Sequence, residues 1–486
     1  MRHTNQTRRD APMAASHAVT TNATSHGALA RLQSFLAERR RTREPTDDLE
    51  RFERELHAMF AAVECEALAE ELAKFDVDVP VVEVEGVAHR RVLRCEETYF
   101  ASAGPVRVER TLYSTRQDAD RAICPMELRA GIVEGRWTPH AARLATWVVA
   151  HLTPQEGEEL FARFGGMTPS KSSLDRLPKQ WSERWEADRE RFEVTLRMQE
   201  TVPAQATTVA VSLDGVMAPM KDGERQQKRE QAVAEGKQTR GPAGYQEVGC
   251  ATRSLYDAEG ERLNTIRMGR MPEKKKARLK ATLIAETMVV TASRPDLNVM
   301  ILADGTKDNW PELSLKFPRA TFVVDFYHAA DKLHGALQAA YGETTAECSA
   351  QFEKLRRVLK DHDRGVAKVI RALVYLRDKY PRRNKIGEAL KYFRRNRHRM
   401  KYAELQAKKL PIGSGVVEAA CKTLVTQRMK RSGMRWRHEG GQAVLTLRAL
   451  VQSERFDRAW DMLGATYKKN VAVPENVVAL SDWRRR

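Results

Sequence analysis

The chain has 486 residues, room for two or three domains with a sizeable core, and its 42% hydrophobic content is ordinary for a folded protein. Its charge is not ordinary: 83 Lys and Arg against 65 Asp and Glu leave +18, which calls for a polyanionic partner. Nucleic acid comes before an anionic membrane, because no apolar run approaches the roughly 20 residues of a span, and six scattered cysteines without a C-x-x-C pair disfavour both a disulfide framework and a zinc site.

Residues 1–27 lack the apolar core of a secretory signal and read as a disordered basic arm. A mostly helical N-terminal region with a small β segment is expected over 28–200. Helical periodicity runs from Ala28 to about Phe75, and strand-like alternation over 79–114 is broken at Glu85-Gly86 and Gly104-Pro105. "TPQEGEELFARFGGMTPSKSSLDRLPKQW", 153–181, gives a helix, a Gly-Gly turn and a second helix. That outline fits a helix-turn-helix offering Lys171, Ser172, Ser173 and Arg176 to DNA, and equally a plain helical hairpin.

Beyond Pro203 the period changes to two. "TTVAVSLDG" is a strand expected to stop at Asp214-Gly215, followed by a charged loop over 221–244. Two strands joined by a turn at 257–260 come next, then a helix over 275–294. "LNVMILADG" reads as a strand buried on both faces, and "ATFVVD" as a further strand. Residues 328–408 are helical and increasingly basic. Three hairpin-like strands, a helix, a buried strand, a helix and another strand is the order of a ribonuclease H-like α/β fold with a mixed sheet. The expected catalytic domain spans 205–450 with a helical insertion at 328–408, and 451–486 is expected to be a C-terminal tail.

Two of these strands end in Asp-Gly, at Asp214 and Asp304. With the first and fourth strands neighbours in the sheet, the two carboxylates meet, and both stay ionised only beside a cation. Oxygen ligands suit Mg²⁺ or Mn²⁺, and two such ions serve phosphodiester chemistry. Asp325 also ends a strand and competes with Asp304, although its strand lies one position further from the first. With His328 it forms either a supporting or DNA-contacting pair, or a helix N-cap beside a satisfied histidine.

Glu418 is the lone acid between Glu404 and Glu439, in a stretch holding Lys422, Arg428, Lys430, Arg431 and Arg435. It reads as a third metal ligand, as the N3 member of a capping box on Gly415, or as an i+4 partner of Lys422. Residues 379–401 hold ten Lys or Arg, among them Arg394, Arg395 and Arg397, against one acid. Such runs are either solvated faces or a track for DNA phosphates.

Three blocks, "VSLDGVMAP", "LADGTKDNWPELSLKFPRATFVVDFYHAADKL" and "PIGSGVVEAACKTLVTQRMKRSGMRW", together resemble insertion-sequence transposases of the ISKra group, within the Mutator-like DDE superfamily. The resemblance covers about 205–450. It implies a DDE transposase with Asp214, Asp304 and Glu418 as the metal-binding triad, Asp325 and His328 as its Asp-x-x-His element, and a homo-oligomer acting on double-stranded element ends and target DNA. A cytoplasmic, nucleoid-associated setting goes with that expectation. The same residues also suit a ribonuclease H-like nuclease that cuts without joining, or an inert DNA-binding regulator.

Overall fold

The computed structural model describes residues 27–42, 44–115, 121–221, 223–237, 244–306 and 309–475. The expected basic arm and the last eleven positions, 476–486, lie outside the described residues, Gly27 excepted.

Two helices open the chain, α1 (Ala28–Arg41) and α2 (Leu49–Ala73), the second capped by Asp48, whose side chain accepts the Arg51 N–H. An antiparallel meander follows: β1 (Val81–Val84), β2 (Val87–Ala101) and β3 (Gly104–Ser114). Glu85 and Gly86 both take positive φ, as a two-residue hairpin requires. Gly104-Pro105, expected to break the pattern, instead opens β3, because Gly104 already pairs with Ala101 and the turn is Ser102-Ala103.

Next come α3 (Pro125–Ala130), α4 (Pro139–His151), α5 (Pro154–Phe164), α6 (Lys171–Ala187) and α7 (Arg189–Met198). A reciprocal Thr153–Glu156 capping box starts α5, and the Ser170 hydroxyl caps α6. Leu174, Leu177, Trp181 and Trp185, at helical spacing, give α6 its buried stripe.

The larger sheet contains β4 (Thr208–Pro219), β5 (Tyr245–Tyr256), β6 (Arg262–Arg270), β7 (Asn298–Ala303) and β8 (Thr321–Val324). Its order is β6-β5-β4-β7-β8, with β4, β5 and β6 antiparallel and β4, β7 and β8 parallel. Between these strands lie α8 (Gly223–Ala234), α9 (Ala277–Ser293) and α10 (Pro311–Lys316). The α8 helix corrects the expected loop: residues 224–235 contain no Gly or Pro and are rich in Gln, Glu, Lys, Arg and Ala, all good helix formers. Nor does β4 stop at Asp214-Gly215. Its partner β5 keeps pairing out to Pro219–Tyr245, whereas β7 leaves after Leu213–Ala303.

The helical insertion comprises α11 (Phe326–Tyr341), α12 (Ala346–Asp361), α13 (Gly365–Lys379), α14 (Asn384–Asn396) and α15 (Tyr402–Ala407). Its buried side chains share one core with β4, β7 and β8. The chain returns through α16 (Gly415–Ala420), a π-helical stretch (Cys421–Thr426) and α17 (Gln427–Met429), then α18 (His438–Gln452), α19 (Phe456–Ala465) and β9 (Val471–Ala472).

The segment from 451 to 475 is not a trailing tail. Phe456, Ala459, Trp460 and Leu463, one face of α19, join Trp181 and Trp185 in a core shared by the N-terminal helices, and β9 adds to β1. Arg455 reinforces the closure. It contacts Glu286 at 2.8 and 2.9 Å and Glu200 at 2.9 Å, and Arg253 reaches Glu200 at 3.3 Å, all four buried or nearly so. Among the described residues no helix is long and apolar enough to cross a membrane.

Candidate active site

The parallel pairing of Leu213 with Ala303 puts Asp214 and Asp304 one residue further on two neighbouring strands, the adjacency expected from element order. Neighbouring strands run about 4.8 Å apart. From here β7 breaks away while β4 continues, so both carboxylates stand where the sheet opens. Asp304 is held by its own loop: its Oδ1 accepts the Thr306 N–H and the Asn309 amide at 3.1 and 2.7 Å, and its Oδ2 accepts the Thr306 hydroxyl at 2.7 Å. Gly305 lies under the Tyr392 ring, where an added Cβ would meet the ring Cζ at 2.7 Å and Asn396 Nδ2 at 2.8 Å. Arg395 caps the turn by donating to the Gly305 carbonyl at 2.6 Å.

Asp325 follows β8 and is fully buried. Its Oδ1 accepts the His328 N–H at 2.7 Å and lies 3.2 Å from His328 Nδ1, while its Oδ2 accepts the Ser414 N–H. Beside it the Phe326 N–H donates to Ile412 at 3.0 Å. One carboxylate therefore caps α11 and also pins the loop that launches α16. Burial acts to raise the Asp325 pKa, but the hydrogen bonds from His328 and Ser414 outweigh it and the carboxyl titrates below its usual range. His328 moves the other way, to about 9, chiefly through its bond to Asp325 and against the cost of burial, with Asp214 and Asp304 adding attraction.

Glu418 projects from α16, whose N-cap is Ser414. The capping-box reading fails on register, since Glu418 is the fourth helical residue, and the helix has no side-chain cap bond. Nor is an ion pair with Lys422 found among the described residues. Instead the carboxylate of Glu418 and ligand atoms of Asp325 and His328 all lie within 4.8 Å of one another. Partial burial raises the Glu418 pKa, and the negative charges of Asp325, Asp214 and Asp331 raise it further, against the attraction of His328. Glu418 thus sits with Asp325 and His328 as its tightest neighbours and within the field of Asp214.

Two further groups line Asp214. Cys421, in the π-helical stretch, donates its thiol to Asp214 Oδ2 at 3.8 Å, and Cys250 is the cross-strand partner of Asp214. Lys276 donates to the Asp214 carbonyl at 3.2 Å and pairs with Glu247 at 2.9 Å. It belongs to a Lys274-Lys275-Lys276 run in which Lys275 and Lys276 both have positive φ, a conformation costing about 1 kcal/mol or more for a residue with a Cβ. Sequence reading passed over Lys276. The available signal was three lysines at the start of a helix, where cations oppose the macrodipole.

The group close enough to share one ion is Asp325, His328 and Glu418, with Asp214 and Asp304 on neighbouring strands; burial first, and then the surrounding acids, raise the Glu418 pKa, and a divalent cation would relieve the charge repulsion. The carboxylates here are the hard oxygen donors that Mg²⁺ or Mn²⁺ takes. His328, protonated at neutral pH, supplies part of that compensation itself.

The basic residues divide. Lys171, Ser172 and Arg176 are exposed on α6, whereas Ser173 is buried. Arg394, Arg397, Lys422 and Lys430 are exposed, as are Arg395 and Arg435. Arg431 is engaged in a two-oxygen pair with Glu156 at 2.5 and 2.6 Å, which ties α17 to α5. Arg428 differs from these cations in burial: it is 3% exposed, its guanidinium 5.5 Å from the Trp436 ring. The stripe Val417, Ala420, Cys421, Leu424, Val425, Arg428, Met429 explains this, since Arg428 falls on the buried face of the helical segment.

A scan against protein-family models finds no match for the chain, and no curated protein matches it.

Proposed function

We propose that the chain is a DDE-type DNA transposase with a ribonuclease H-like catalytic domain. The observation that carries the reading is the placement of Asp214 and Asp304 on adjacent parallel strands where the sheet opens, with Glu418, from a later helix, clustered with Asp325 and His328 and within the field of Asp214. Support for the fold assignment comes from the sheet order β6-β5-β4-β7-β8 with its antiparallel first half and parallel second half. The sequence blocks that resemble ISKra-group transposases fall on these same elements.

Asp214, Asp304 and Glu418 would hold Mg²⁺ or Mn²⁺, which when bound activates an attacking oxygen and balances charge on the leaving one. The chain's own residues do the rest. Asp325 fixes the loop at 411–414 and so sets the reach of Glu418. His328 keeps a proton and a positive charge against the acids, and Lys276 adds a second fixed cation beside Asp214. In hydrolysis, water attacks the phosphorus at an element end, the bond from phosphorus to the 3′ oxygen breaks, and a 3′-hydroxyl is released. In joining, that hydroxyl attacks a target phosphodiester in line and the target's own 3′ oxygen leaves. Arg394, Arg397, Lys422 and Lys430 are the exposed cations for backbone phosphates. Lys171 and Arg176 on α6 are the residues through which a helix-turn-helix formed by α5 and α6 would contact the element ends.

The test is to incubate the full chain, Mg²⁺, a target plasmid and duplexes carrying the element's inverted repeat with its flank. Free 3′-hydroxyl ends together with joined products support the transposase. Cleavage with no joined product supports a nuclease instead, and binding with neither leaves a regulator.

A further inference from the structure

Past Asp214, β4 continues to Pro219 and the chain reaches Lys221, about 23 Å on at seven residues of ~3.3 Å each, beside a cavity of about 290 Å³. The cavity is framed by α6, the turn after α17 and the start of α18. The backbone holds it firmly: the Lys221 N–H donates to the Trp436 carbonyl at 2.7 Å, the Trp436 N–H to Pro219 at 3.0 Å, and the Trp436 indole to Met429 at 2.9 Å.

Arg428 lines this cavity as a buried cation without a counter-ion. No carboxylate lies within 4.0 Å of it among the described residues, and its buried Nε has no hydrogen-bond partner. The two acids whose charge reaches it are taken, Glu156 by Arg431 and Asp175 by Lys179 at 2.5 Å. Neighbouring Arg448, also buried, shows the contrast: it donates to the carbonyls of Ala150, Thr423 and Leu424 and needs no anion. Burial, with Arg448 and Arg431 nearby, pushes the Arg428 pKa down to about 10, against the pull of Glu156 and Asp175. A buried, unpaired charge is costly and persists where something pairs with it part of the time.

We infer that this cavity is a phosphate-binding site, with Arg428 at its floor, Lys221 and Arg435 at its rim and Trp436 as one wall, and that its occupant is a DNA backbone phosphate. The choice of DNA rests on the transposase reading; the phosphate chemistry does not. A guanidinium meets phosphate oxygens with two parallel hydrogen bonds, and the exposed Lys179 of α6 also lines the cavity. Its separation from Asp214 along the strand corresponds to about seven base pairs at 3.4 Å per strand phosphate.

The test compares the full chain with Arg428→Met, which keeps the apolar stem, and Lys221→Gln, an exposed change that leaves the fold alone. Each is titrated with inorganic phosphate against sodium chloride at matched ionic strength, followed by thermal unfolding and by the ³¹P linewidth of the ion. Phosphate is expected to stabilise the wild type beyond chloride, with affinity at least tenfold weaker in both variants. Without phosphate, Arg428→Met is expected to melt no lower than wild type, because it removes an unpaired charge. Equal effects of phosphate and chloride on wild type, or unchanged phosphate affinity in Arg428→Met, would overturn the site. A short duplex added to phosphate-loaded protein distinguishes the source. Displacement of phosphate supports a backbone phosphate, and simultaneous binding overturns that source in favour of a free ion. A chain that binds phosphate yet never cleaves DNA would sink the transposase and leave the cavity standing.

Discussion

Asp325 does two jobs through one buried carboxylate, capping α11 and receiving the Ser414 N–H that positions Glu418. Asp325→Ala removes both and leaves buried N–H groups unpaired, a loss of about 3 kcal/mol that chemical denaturation would read. Asp325→Asn keeps the shape and loses the charge, so it should unfold at a denaturant concentration between those of Asp325→Ala and wild type. Its partner predicts a pH dependence. The His328 pKa rises from 6.5 to about 9 on folding, so its stabilising contribution is complete below pH 6.5 and is lost as pH rises through 9. Melting temperatures measured in a chelator should fall across that interval in wild type and stay flatter in His328→Gln. Equal slopes would remove His328 from the charge balance of the site. At this scale the candidates Asp214, Asp304 and Glu418 stand out in the sequence, because an acid in an Asp-Gly step or in a basic run is conspicuous. The second duty of Asp325 was not, since Ser414 lies 89 positions away and no local pattern links them. The burial of Arg428 was not legible in composition, although its helical phase places it inside.

Among elements, the strands of the larger sheet were readable because alternation, or a continuous apolar run, marks burial on one face or both. Their lengths were less so: Asp-Gly signals a turn locally, and only the continued pairing with β5 carries β4 past Asp214. The α19 helix and β9 were missed because what holds them is distant in sequence, the α6 stripe and β1. The last turn of the α16–α17 segment is clamped to α5 by Arg431 and Glu156, which joins the element carrying Glu418 to the N-terminal helices. Arg431→Ala is predicted to cost little stability, about 0.5–1 kcal/mol, since the pair is half exposed. Its larger effect should be on the 427–437 segment, read as faster amide hydrogen exchange there than in wild type. Unchanged exchange would mean that the clamp does not hold this segment. Gly305→Ala should be more damaging than its size suggests, because the new methyl meets the Tyr392 ring and Asn396; a loss of about 1–3 kcal/mol is expected in denaturant unfolding.

For the molecule as a whole, the net charge of +18 and the shared cores argue for one body that presents cations around an acidic centre. The Arg455–Glu286–Glu200–Arg253 network joins the sheet, α7, α9 and the start of α19. Arg455→Met would take the nearest cation from buried Glu286, leaving it Arg197 and Arg253 at 3.8 Å, while Glu200 keeps Arg253 and Arg458, and about 3 kcal/mol of unfolding free energy should go with it. DNA affinity should fall steeply with salt, the slope counting the phosphates engaged. The acidic centre itself is tested most directly by one comparison in Mg²⁺, on element-end duplex, of wild type with Asp304→Asn. The variant should bind DNA within about twofold of wild type and lose cleavage and joining by at least a hundredfold, the order of loss when one charge-stabilising group is removed from a reacting centre. An Asp304→Asn protein that still joins DNA ends at the wild-type rate would contradict the account.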